Sequence, residues 1–115
     1  MAHNNRLDWD LIMNGDKITI SFFGKLTRFT LDPLWKKRHQ FLSEFKKNPN
    51  IILWDFNKLS HIDSAGFALI CELLHQGETL GIKQKLINSP QQLLTLADLF
   101  GFSNWFSAFL PQAEK

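Results

Sequence analysis

The chain has 115 residues, 44% hydrophobic and 21% charged, the balance of one ordinary folded domain able to bury its own core. A formal net charge of +2 is too small to argue for nucleic acid or for an acidic membrane surface. The lone cysteine, Cys71, excludes an internal disulfide and fits a reducing compartment. No apolar run approaches the roughly 18 residues of a membrane span. "MAHNNRLDWD" lacks the apolar region of a signal peptide, so a cytosolic location is expected. With 11 Phe, 4 Trp and no Tyr, the aromatics leave room for a Trp at an interface.

In chain order, "LDWDLIMNGDKITISFFG" comes first. "NGD" at 14–16 is a turn signal, and Ile18 and Ile20 alternate with Thr19 and Ser21. The segment reads as an antiparallel hairpin with strands at about 8–13 and 16–23. In "TLDPLWKKRHQFLSEFKKNPN", Thr30 or Asp32 can cap a helix and Pro33 suits its first turn. Leu31, Leu34, Trp35, Phe41, Leu42 and Phe45 fall in one arc at about 100° per residue. Lys46 and Lys47 favour a helix C-terminus, and Asn48-Pro49 stops it. Arg38 falls inside the apolar arc, its stem expected along the core and its head in water.

"IILWDF" at 51–56 does not alternate, which predicts a central strand buried on both faces. A second helix runs from near Ser64 to about Gln76, with Gly77 or Gly81 past its end, and "IKQKLIN" at 82–88 forms a short strand. A third helix opens with Ser89 as cap and Pro90 at its first position and stops at Gly101. "SNWFSAFL" adds a last short helix or turn. The order β-β-α-β-α-β-α-α is that of an α/β sheet with helices packed against it. No internal repeat, low-complexity tract or linker interrupts it.

The stretch "NIILWDFNKLSHIDSAGFALICELL", residues 50–74, resembles the signature of the STAS domain family. That family includes bacterial anti-sigma-factor antagonists and the cytoplasmic tails of sulfate transporters. Its signature is a central strand ending in Asp, a short loop, and Asp-Ser/Thr-x-Gly opening the second helix. Here Asp55, Asp63, Ser64 and Gly66 stand at those positions. The resemblance covers about residues 8–105 and implies one STAS-like domain over 1–115, a mixed β-sheet with helices packed against it.

Within the family, Trp9, "GD" at 15–16, "DPLW" at 32–35, "DSAGFALI" and "LLTLADLFGF" resemble the STAS subunits of Mla phospholipid ABC transporters. "DSAG" departs from members that carry a second Gly after the hydroxyl residue. The resemblance implies a non-catalytic subunit of a complex that maintains outer-membrane lipid asymmetry. It would bind the ABC transporter ATPase subunit and, through it, an inner-membrane permease, and would lie peripherally at the inner face of the inner membrane. It would use no cofactor and no small-molecule substrate, bind no nucleic acid and insert into no membrane directly.

Chemistry narrows the site. A hydroxyl at Ser64 can cap a free backbone N–H at a helix start, where the Asp63 carboxylate is favoured by the dipole. The same position exposes it to a partner or a kinase, making Ser64 a candidate phosphorylation site. Ala68, Cys71, Glu72 and His75 share its direction on the second helix, and small side chains there admit a close approach. Trp35, beside His39, is either core or a rim contact, because in STAS domains the first two helices lie side by side. The expected partner contacts are therefore Ser64, Trp35, Ala68, Glu72, His75 and His39, with Asp55, Asp63 and Gly66 supporting the motif. Asp55, at a strand end where α/β sites form, is expected to brace the loop through backbone N–H groups.

Catalysis finds little support. Cys71 and His75 are two ligands, not a zinc site, and Cys71 reads as a small core hydrophobe. "GETLGIKQ" has the wrong spacing for a P-loop and lacks its Lys-Ser/Thr pair. Four scattered His support no Ser-His-acid set. The rival function is an anti-sigma-factor antagonist switched by phosphorylation of Ser64. A lipid-binding module ranks below both, since the Phe positions mostly fit core periodicity.

Overall fold

The computed structural model describes residues 6–44 and 49–111. Strands β1 (Leu7–Asn14) and β2 (Lys17–Leu26) form the antiparallel hairpin, turning at Gly15, whose φ of 67° suits the two-residue loop. β3 (Ile51–Ile62) lies beside β2 and β4 (Lys83–Ile87) beside β3, both pairs parallel, giving a mixed sheet in the order β1-β2-β3-β4. Helices α1 (Asp32–Lys36), α2 (Ser64–Thr79), α3 (Gln91–Leu99) and α4 (Ser103–Ser107) complete the predicted order, with a 3₁₀ turn at Leu42–Glu44. Among the described residues no helix is long and apolar enough to cross a membrane.

The core lies between one sheet face and the helices. Ile18, Ile20 and Phe22 of β2 and Ile52, Trp54 and Phe56 of β3 are buried there. The Trp54 ring stacks on Phe22 at 6.1 Å and on Phe41 at 6.4 Å. Trp54 Nε1 donates to Gln84 Oε1 at 2.9 Å, and Gln84 Nε2 donates to the Leu74 carbonyl at 2.9 Å, so this buried amide is satisfied. Gly77 sits inside α2 because a Cβ there would collide with the Gln84 side chain; Gly81, at φ 74°, ends the helix. The Leu86 N–H donates to the Phe109 carbonyl at 2.8 Å, so the chain after α4 covers the outer edge of β4.

β3 is central, as read, but not buried on both faces: Ile51, Leu53 and Asp55 are half-buried on the side away from the helices. It is also twice the expected length, and Asp55 lies within it rather than at its end. Against β2, the register steps from Ser21↔Asp55 to Phe23↔Lys58 and from Gly24↔Leu59 to Lys25↔His61, so β3 carries an extra residue at each step. Its buried positions thus run Phe56, Leu59, Ile62, a spacing of three that hides the strand from any test of alternation.

The first helix is short. Instead of continuing to Lys47, the chain after Lys36 makes tight i→i−3 bonds, Lys37 to Leu34, Arg38 to Trp35 and Gln40 to Lys37. The Gln76 side chain then accepts from Leu42 N–H and donates to the His39 carbonyl, supplying the partners a continuing helix would have used. Leu34, Phe41 and Leu42 are buried all the same. The expected end at Phe45, Lys46, Lys47 and Asn48 lies outside the described residues. Neither expected cap acts: Thr30 Oγ1 donates to the Lys25 carbonyl, and Asp32 pairs with Lys36 at 3.1 Å within the first turn. At α3, Pro90 keeps an extended ψ of 155°, so the helix starts at Gln91, and Ser89 Oγ is buried without a bond instead of capping.

Candidate docking surface along α2

Asp63, not Ser64, caps α2. Its backbone is extended, and its Oδ1 accepts from the Gly66 N–H at 3.0 Å. Oδ2 accepts from the Arg28 N–H at 3.1 Å, and the Asp63 N–H donates to the Leu26 carbonyl at 3.2 Å. These bonds lace the end of β2 to the start of α2. Gly66 permits the approach, since a Cβ there would collide with the Leu26 carbonyl oxygen. Ser64 is the first helical residue, exposed, and its hydroxyl bonds to no other described residue. The expected Ser64 cap is therefore corrected: a cap must sit one residue before the helix to bend back onto the N–H of its third residue, and Asp63 holds that place.

The far side of α2 is pinned by its apolar residues. Phe67, Leu69, Ile70, Leu73 and Leu74 are buried, leaving Ser64, Ala68, Glu72 and His75 exposed on one face with half-buried Cys71 among them. That face forms one side of an open groove of about 700 Å³. Phe67 is its floor; Phe100 and Phe102 line it from the turn between α3 and α4, and Trp105 lines it from α4. Phe67 stacks on Phe100 at 5.7 Å, on Phe102 at 6.0 Å and on Phe106 at 5.4 Å. Trp105 meets Phe102 edge-on at 6.0 Å and donates from Nε1 to both Glu78 carboxylate oxygens at 3.2 Å.

Ser64, Ala68, Glu72 and His75 thus come together as expected. His39 meets only Glu72 and His75 of these, in a smaller groove of about 220 Å³ that Arg38 also lines. Trp35 stands apart: it is half-buried against the core and lines neither groove. The Arg38 guanidinium lies 3.9 Å from the Trp35 ring centroid and donates to the Trp35 carbonyl at 2.8 Å. The Arg38 head therefore folds back onto Trp35, a cation against an indole face, with its Nε buried and without a hydrogen-bond partner among the described residues.

Asp55 acts as the expected brace, its Oδ1 accepting from Asn57 N–H and from Asn88 Nδ2, each at 2.9 Å. Burial, with the Glu72 carboxylate adding to it, pushes the Cys71 thiol up to about 12, so at neutral pH it is a protonated, unreactive group. Among the described residues no three His, Cys, Asp or Glu side chains converge to hold a metal ion. Glycines of the P-loop-like segment fall inside α2 and at its C-terminal turn, with a strand following instead of a helix N-terminus. The arrangement suits docking: an apolar trough, a polar rim and an unbonded hydroxyl held at a fixed place.

The aromatic wall escaped the sequence reading. Its signal was "DLFGF": large apolar residues on both sides of a helix-stopping Gly, where exposed polar residues are the norm. Phe100 and Phe102 are indeed exposed.

A family model for the STAS domain matches residues 18–114. The intermembrane phospholipid transport system binding protein MlaB of Haemophilus influenzae is 48% identical over 104 residues, covering 90% of this chain and 99% of that protein. The fold is shared with an anti-sigma factor antagonist from Mycobacterium paratuberculosis, with a TM-score of 0.72 at 10% identity, covering 98% of this chain and 92% of that one. It is shared also with unphosphorylated SpoIIAA, another such antagonist, with a TM-score of 0.66 at 19% identity, covering 94% and 90%. A sulfate transporter family protein from Wolinella succinogenes gives a TM-score of 0.69 at 14% identity, covering 86% and 79%.

Proposed function

The chain belongs to the STAS domain family, and from that footing we propose that it is the non-catalytic STAS subunit of a phospholipid-transporting ABC complex. It binds the ATPase subunit on the cytoplasmic side, is held through it at the inner-membrane permease, and supports the assembly and activity of the transporter. The observation that carries this reading is the likeness to the Haemophilus influenzae MlaB protein over nearly the whole length of both chains.

The groove along α2 supports docking in physical terms. Ala68 lets a partner backbone come close, while Phe67, Phe100, Phe102 and Trp105 offer rigid apolar surface that loses little entropy on binding. Glu72 and His75 add a polar rim that orients the partner. The test is co-purification of the tagged chain from its host. Recovery of the transporter ATPase and permease in stoichiometric amount is expected; their absence, or recovery of a kinase and an anti-sigma factor in their place, would overturn the reading.

The second reading, an antagonist switched by phosphorylation, rests on one observation: the Ser64 hydroxyl is exposed and unbonded on the first turn of a long helix. A phosphate there would meet the favourable helix N-terminus and the adjacent Asp63 carboxylate at once.

A further inference from the structure

Phe29 is the most exposed large hydrophobic side chain among the described residues, at 81%, and its backbone is tied into a hydrogen-bonded turn. It sits at the tip of the turn between β2 and α1. Thr30 Oγ1 accepts from Thr27 N–H at 3.0 Å and donates to the Lys25 carbonyl at 2.7 Å, and Thr27 Oγ1 accepts from Phe29 N–H at 3.2 Å. Arg28 N–H is tied to Asp63, the residue that caps α2 and precedes Ser64. The turn is thus a preorganised knuckle joined to the start of α2, and an anchor held this way loses little freedom on binding.

Its charge is one-sided. The Arg28 guanidinium lies 4.7 Å from the Phe29 ring centroid. A depression of about 410 Å³ beside the ring is lined by Lys25, Thr27, Thr30, His61 and Asp63. Asp63 is the one carboxylate there, and both its oxygens already accept backbone N–H groups. What faces outward is an aromatic knob with the Arg28 guanidinium against its ring.

Resting on the docking reading above, we propose that the Thr27–Thr30 knuckle is a second contact on the ATPase subunit, with Phe29 entering an apolar socket whose rim carries a carboxylate for Arg28. The charge complementarity selects an acidic rim. The shape selects a protein over a lipid surface: a single ring beside a concave polar depression matches a knob-and-socket contact, whereas a polybasic lipid anchor needs about 4–8 clustered Lys or Arg. Phe29 and Ser64 then grip one partner from the two sides of Asp63.

The experiment titrates the host's purified transporter ATPase against the immobilised full chain. Phe29→Ala is expected to raise Kd about tenfold or more, the size of a hot-spot truncation, with an unchanged melting curve because the ring is exposed. Arg28→Gln is expected to raise Kd less and to flatten its salt dependence. If Phe29→Ala binds like the parent while Ser64→Glu loses binding, the docking reading stands and the knuckle contact is overturned. A parent chain that binds no ATPase overturns both. Flotation of the parent chain with phosphatidylglycerol–phosphatidylethanolamine vesicles, lost in Phe29→Ala, would make a lipid surface the occupant and overturn the protein contact.

Discussion

Asp63 Oδ1 accepts the Gly66 N–H at 3.0 Å, and around this one bond the beginning of α2 is organised. The same carboxylate holds Arg28 through its other oxygen, and the missing Cβ of Gly66 lets the Leu26 carbonyl come close. Asp and Gly of the "DSAG" motif therefore build the platform, and the hydroxyl between them is left outward and unbonded.

That division of labour predicts unequal substitutions. Asp63→Ala removes the cap and leaves the Arg28 N–H without its partner, and should cost about 1–2 kcal/mol. Ser64→Ala removes no bond and should stay within about 0.5 kcal/mol of the parent. Urea unfolding of both variants measures this. Equal losses, or a larger one for Ser64→Ala, would return the capping role to Ser64.

Gln84→Leu keeps the volume but strands the buried Trp54 indole N–H, which now donates at 2.9 Å. A buried donor without a partner costs about 1–3 kcal/mol. The midpoint of denaturation should fall by that amount. In a Trp54→Phe background the same change should cost far less, because no donor is left to orphan.

Cys71 gives a pH-dependent readout. Its thiol is raised from the ordinary 9.0 to about 12, first by burial and then by Glu72. The unfolded chain loses this proton near 9 and the folded chain only near 12. The contribution is thus fully present below pH 9, and stability falls as pH rises from there toward 12. Alkylation of the native protein by iodoacetamide should be slow at neutral pH and accelerate only well above pH 9. Rapid labelling at neutral pH, without unfolding, would contradict a half-buried, protonated thiol.

How much of this could be read in the sequence follows from the kind of force at work. The order of elements, the β1–β2 hairpin and the α2 face of Ser64, Ala68, Glu72 and His75 were legible, because turn residues and helical spacing are local signals. The length of β3 was not, since two inserted residues against β2 break its alternation. The early end of α1 was hidden too, because the Gln76 side chain, distant in sequence, satisfies His39 and Leu42. The wall of Phe100, Phe102 and Trp105 faces α2 only through the turn at Gly101, a tertiary juxtaposition without a periodic trace.

The sharpest test of the docking surface is charge at Ser64. The side chain points into the groove beside Phe67 and Ala68, with Asp63 one residue away. Ser64→Glu adds a carboxylate that the helix N-terminus tolerates in the isolated chain, so the fold should survive with a change of about 1 kcal/mol or less. A docked ATPase would have to desolvate that carboxylate next to Asp63, and an unpaired buried charge typically costs several kcal/mol. Ser64→Glu should therefore abolish co-purification with the ATPase and transporter function in cells, while circular dichroism matches the parent. Ser64→Thr keeps the hydroxyl and should bind normally. A folded Ser64→Glu protein that still captures the ATPase at parental levels would mean that the partner never covers this end of α2.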